Sequence, residues 1–154
     1  MLNLIKILIL FIFFINNVSA ENFSLKKIAS LSKPWGLSFI NDNELIISEK
    51  TGKIKIVNIT NGQIKEVKHN LNYKNVGQGG LLDIVYKDKY VWIAYTEEVK
   101  KREYTTSIAK GKFSSKKIKF KNIFRAKPEE ITTEFHFGSR LVINNEHLFA
   151  SIGE

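Results

Sequence analysis

Three polar side chains in this chain stand where chemistry could be done. His136 lies between two phenylalanines in EFHFGSRL, residues 134–141, just ahead of a glycine and a run of strand-forming residues. Arg140 belongs to the same motif, and Gln78 sits between Gly77 and Gly79 in VGQGGLLD, residues 76–83. A neutral imidazole can take a proton from a hydroxyl without being ionised first. A primary amide offers both a donor and an acceptor, and a guanidinium can grip a carboxylate with two parallel N–H groups. Each residue also has a plainer reading. A histidine between phenylalanines can be packed with its nitrogens on backbone carbonyls, and a glutamine between glycines can cap a tight turn. Arg140 can buttress Asp83, Glu49 or Glu154 from behind a site. His69 and His147 lie in polar turn contexts and read as surface imidazoles. Trp35, following Pro34 at the start of a strand, reads as a core aromatic.

Other chemistries find no support. The chain has no cysteine, hence no disulfide and no thiolate nucleophile. Gly77, Gly79 and Gly80 do not form a phosphate loop, because no helix follows them and no lysine or serine sits at nucleotide spacing; they suit close backbone approach. The acids lack the alternating spacing of a calcium loop, so no metal site is expected within these residues. Lys and Arg number 24 against 15 Asp and Glu, a net charge of +9. They are scattered as pairs and single residues on strands, without a basic helix or finger spacing. That pattern reads as a solvated face, and nucleic acid is not expected as a partner.

The elements that must position these groups follow a leader. MLNLIKILILFIFFINNVSA carries Lys6, an apolar run from Ile7 to Ile15 and a small-residue end at Ala20. Its apolar core is too short to cross about 30 Å of hydrocarbon, so residues 1–20 read as a signal peptide. Residues 21–154 then form one secreted domain with no stable membrane span. Segments such as GLSFI, ELIISE, KIKIVNI, LLDIVY, YVWIAYT, YTTSIAKGKF and KIKFKNIF are rich in β-branched and aromatic residues and alternate with polar turns. The turns KTGK and ITNGQ read as hairpins, the second a tight turn on Asn61-Gly62. The class is all-β and antiparallel.

A repeat sharpens the architecture. WGLSFINDNELIISEKTG from Trp35 overlays GGLLDIVYKDKYVWIAYTEE from Gly79 and FGSRLVINNEHLFASIGE from Phe137. Each copy opens on a glycine and an apolar strand, turns, and returns to a small or hydroxyl residue before an acid: Ser48-Glu49, Thr96-Glu97, Gly153-Glu154. A period of about 50 residues with four short strands is the mark of β-propeller blades. Only about two and a half blades of four-stranded antiparallel sheet fit here, which suggests an amino-terminal piece of a larger ring. Glu49 and Asp83 recur in equivalent registers and read as groups that hold blade to blade.

SKPWGL, IISEKTG, VGQGGLLD, VWIAYT, HFGSRL and FASIGE, in that order, resemble the start of the soluble quinoprotein glucose/sorbosone dehydrogenases, and most of all their aldose sugar dehydrogenase branch. The resemblance covers essentially all of residues 21–154. It implies a six-bladed propeller, exported to the periplasm, that binds pyrroloquinoline quinone and calcium and oxidises the anomeric hydroxyl of an aldose to a lactone, passing electrons to an external acceptor. It places His136 on the general base, Gln78 near sugar and cofactor, and Arg140 in an RL pair able to hold a cofactor carboxylate. The calcium ligands and most quinone-gripping residues would lie in later blades, so residues 1–154 alone are expected to be inactive. A non-catalytic exported propeller that binds without turnover is the alternative.

Overall fold

The computed structural model describes residues 23–126, 134–138 and 140–153; the expected signal peptide, residues 1–20, lies outside them. The chain forms β1 (Pro34–Asn41), β2 (Glu44–Glu49), β3 (Lys53–Asn58), β4 (Ile64–His69), β5 (Leu81–Lys87), β6 (Tyr90–Lys100), β7 (Glu103–Lys112), β8 (Lys117–Ile118), β9 (Phe120–Arg125), β10 (Leu141–Asn144) and β11 (His147–Ala150). The first sheet has the order β1-β2-β3-β4-β8, the second β5-β6-β7-β9, and β10-β11 is a hairpin. This is an unclosed partial β-propeller: two blades and the opening hairpin of a third. Among the described residues no helix is long and apolar enough to cross a membrane.

Period-2 alternation sends the second sheet's side chains to two cores. On one face, Leu81, Ile84, Val91, Ile93, Tyr95 and Ala109 pack with Ile46, Ile54, Ile56 and Val67 of the first sheet. On the other, Leu82, Ala94 and Ile108 pack with Phe137 and Leu141. A sheet buried on both faces explains why β5 and β6 read as nearly continuous apolar runs.

A hydroxyl rung closes the inner end of each hairpin. Gly36 N–H donates to Ser48 Oγ at 3.1 Å, Gly80 N–H to Thr96 Oγ1 at 3.1 Å, and Arg140 N–H to Ser151 Oγ at 3.0 Å. The third hydroxyl is therefore Ser151, not the Gly153 position the repeat predicts. The reason is the length of the hairpin: Thr96 stands six residues past the start of β6 at Tyr90, two more than Ser48 past Glu44 or Ser151 past His147.

Two further expectations are corrected. KIKFKNIF is not one strand: β8 runs parallel to β4 in the first sheet, with Lys117 opposite Lys68, while β9 closes the second. Ile118 and Phe120 both enter the core between the sheets, and Asn70 clasps Phe120 by its N–H at 2.7 Å and its carbonyl at 3.1 Å, so the segment must cross. The first sheet thus has five strands, one of them parallel. The β3–β4 connection is also longer than a tight two-residue turn. Gly62 has φ 75°, but the Asn58 side chain caps Thr60 and Asn61 N–H and shapes a wider loop.

Candidate functional site

The second sheet presents a three-point cradle at its inner end. Gln78, in the loop before β5, donates its N–H to the Glu134 carbonyl at 2.9 Å and accepts the His136 N–H on Oε1 at 3.1 Å. Thr106 of β7 donates its hydroxyl to the Phe137 carbonyl. Asp83 of β5 accepts the Leu141 N–H on Oδ2 at 2.8 Å. Three side chains, from the second sheet and the loop that enters it, thereby hold the main chain of His136, Phe137 and Leu141, while Phe137 plugs the core between them at 5% exposure.

The chemistry-bearing side chains remain outside. His136 has φ 61°, a left-handed conformation that L-residues adopt at a cost of about 1–2 kcal/mol, and its imidazole is exposed. Gln78 is exposed as well. The Arg140 side chain is 79% exposed, with Nη1 3.6 Å from Asp83 Oδ1. The structure thus brings Gln78 and His136 into direct contact and sets Arg140 on the same cradled segment. Among the described residues His136 is exposed and not packed in a core.

The glycines of VGQGGLLD serve close approach. A Cβ on Gly77 would stand 2.3 Å from the Glu134 carbonyl oxygen, one on Gly79 2.9 Å from Phe137 Cε2, and one on Gly80 2.1 Å from the Lys50 carbonyl oxygen. A side chain at Gly77 or Gly79 would push away the segment that leads into the third hairpin, and one at Gly80 the turn between β2 and β3.

Several residues depart from their sequence reading. Lys50 donates its Nζ to the Gly77 carbonyl, placing a cation beside the Gln78 loop. Neither Lys50 nor Thr106 stands out in the sequence, because each acts on backbone far along the chain. Glu49 serves its own sheet rather than bridging blades: Oε1 accepts from Ser32 N–H at 2.7 Å and Lys55 Nζ at 2.8 Å. His69 is half-buried, taking the Leu71 N–H on Nδ1 at 3.2 Å, which leaves Nε2 to donate to the Gly52 carbonyl at 2.8 Å. Trp35, expected in the core, is 45% exposed at the outer face of β1.

One strongly coupled pair lies in the second sheet away from His136. Burial works against the ionised Glu97, but the Arg125 guanidinium, at 2.8 and 2.9 Å, and the Ser107 hydroxyl, at 2.6 Å, outweigh it and hold the carboxyl below its ordinary range. Burial raises the neighbouring Tyr95 phenol, whose oxygen accepts from Asn122 Nδ2 at 2.9 Å.

Residues 31–154 match the family described as Glucose / Sorbosone dehydrogenase. An uncharacterized protein of Synechocystis sp. is 25% identical over 141 residues, covering 82% of this chain and 34% of its own length. The soluble aldose sugar dehydrogenase of Escherichia coli, solved in its apo-form, is 30% identical with a TM-score of 0.73, over 80% of this chain and 38% of that one. The PQQ-bound form of aldose sugar dehydrogenase from Streptomyces coelicolor is 24% identical with a TM-score of 0.72, over 84% and 41%. The chain thus spans 34–41% of the length of these relatives.

Proposed function

The chain belongs to the glucose/sorbosone dehydrogenase family, and on that premise we propose that the protein it builds oxidises the anomeric hydroxyl of an aldose to a lactone, with pyrroloquinoline quinone as oxidant and an external acceptor to regenerate it. One observation carries the reading: the exposed His136 imidazole rises from a backbone whose N–H is held by Gln78 and whose neighbours are held by Thr106 and Asp83. A general base must be fixed in place and still be reachable.

When bound, the quinone supplies the acceptor for the hydride and its two electrons. His136 takes the proton of the C1 hydroxyl on a ring nitrogen as the C1–H bond breaks, so carbon loses hydride and oxygen loses proton and a lactone carbonyl remains. Gln78, its Oε1 already committed to His136 N–H, keeps its amide N–H groups to donate to a sugar oxygen. The exposed Arg140 guanidinium and the Lys50 ammonium suit the carboxylates of an anionic quinone, and these two would hold it from this chain's side. Among the described residues no three His, Asp or Glu side chains gather to hold calcium. Secretion to the periplasm, with residues 1–20 as leader and 21–154 as propeller, belongs to the same proposal, as does the inactivity of residues 1–154 by themselves.

The test offers an aldose and a reducible dye to the full-length protein loaded with quinone and calcium. Dye reduction should depend on the aldose, and His136→Ala should lower kcat by about 10²–10⁴-fold while quinone binding, read by absorbance, stays unchanged. Undiminished turnover in His136→Ala removes the base assignment. A protein that binds the sugar yet reduces no dye supports the non-catalytic binding module instead.

A further inference from the structure

Asp83 is a buried carboxylate for which the oxidation above has no use. It lies inside the β5 bulge, between the paired residues Leu81 and Ile84, and the residue is 4% exposed. Oδ1 accepts the Ile84 N–H at 3.0 Å and stands 3.6 Å from Arg140 Nη1; Oδ2 accepts the Leu141 N–H at 2.8 Å. On the opposite side, a Cβ on Gly36 of the first sheet would come within 2.7 Å of Oδ1, so glycine is needed there to admit the carboxylate. One side chain therefore meets the first sheet, the second sheet and the third hairpin.

The chemistry at this point is specific to a carboxylate. Two backbone N–H groups are each received by a separate oxygen. A carboxamide of the same shape has one acceptor oxygen and must turn its own N–H groups toward the other donor, leaving a buried N–H unpaired. The guanidinium beside Oδ1 adds a second reason for a negative charge. We propose that Asp83 is the positioning residue of the site: it fixes the Leu141 N–H and the Arg140 guanidinium, and so sets where the segment from His136 to Leu141 stands against Gln78. The positioning role rests on the reading of His136 and Arg140 given above; the pin on Leu141 does not.

The experiment has an arm for each. In the wild-type full chain, the Leu141 amide should be protected from hydrogen exchange; an unprotected amide overturns the pin. Asp83→Asn should speed Leu141 amide exchange about tenfold or more, and in the quinone-loaded protein lower kcat about tenfold with the KM for aldose unchanged. Asp83→Glu, which keeps both acceptor oxygens, should restore part of that loss. A faster amide with wild-type kcat and KM leaves Asp83 a strut and overturns positioning. Should Asp83→Asn not fold, the wild-type exchange protection and Asp83→Glu decide. If the wild type turns over no aldose, the proposed oxidation fails while the exchange arms still judge the pin.

Discussion

Gln78 holds His136 by its main chain: Oε1 accepts the His136 N–H at 3.1 Å, and two residues earlier the Glu134 carbonyl accepts the Gln78 N–H at 2.9 Å. The pair of bonds joins a loop of the second sheet to the segment that opens the third hairpin, across 58 positions of sequence. The contact also bears on the conformation of His136, whose positive φ persists only where surrounding contacts over-determine it.

Removing the amide should release that conformation. Gln78→Ala is expected to lower kcat by about 10- to 100-fold and to cost about 1 kcal/mol of stability, measured by steady-state kinetics and denaturant melts of the same preparation. Gln78→Glu keeps an acceptor for the His136 N–H and should retain most of the stability; equal losses in both variants would detach the effect from that hydrogen bond.

Thr106 holds the next carbonyl. Thr106→Val preserves shape and removes the hydroxyl that serves the buried Phe137 carbonyl, so a loss of about 1–3 kcal/mol is expected. Hydrogen exchange should localise it, with amides of residues 136–141 exchanging faster and those of β1 to β4 unchanged. Uniform acceleration over the whole chain would count against a local role.

Glu97 should set part of the acid limb of stability. Its folded pKa lies below the ordinary carboxylate value, so its contribution is present above the unfolded pKa and is lost as pH falls through the folded one. Between about pH 5 and pH 2 the melting temperature should fall more steeply in wild type than in Glu97→Gln. Parallel curves over that window would show that the Arg125 pair carries no pH-linked stability.

Ile118 tests the crossing of β8 into the first sheet. Fully buried between the two blades, it should cost about 2–5 kcal/mol on replacement by alanine, read from the urea midpoint. Lys117→Glu, on an exposed neighbour opposite Lys68, should instead be neutral or stabilising, because it removes a like-charge cross-strand pair.

Much of this architecture was legible in the residues. Runs rich in β-branched and aromatic residues such as ELIISE and YVWIAYT, bounded by polar turns, marked strands. The recurrence of glycine, strand, turn and strand marked blades, and EFHFGSRL with VGQGGLLD marked the neighbourhood of the site. The split of KIKFKNIF was not legible, since Ile118 and Phe120 look alike in a strand pattern and only Asn70, 50 positions away, makes the segment cross. The register of the third hydroxyl was hidden because the β5–β6 hairpin is longer than its counterparts, a difference that the shared motif does not show. His69 was misjudged because the backbone that half-buries it, at Gly52 and Leu71, comes together only in the fold.

The sequence by itself determined the all-β class, the blade repeat, the family resemblance and the candidates His136, Gln78 and Arg140, because local side-chain chemistry and periodicity are written in neighbouring residues. Only the tertiary structure decided that Gln78, Thr106 and Asp83 converge on the backbone of residues 136–141, and that Asp83 faces Arg140 and Gly36 at once. Those contacts join residues 31 to 58 positions apart, and a hydrogen bond is fixed by distances in space that only the packed sheets establish.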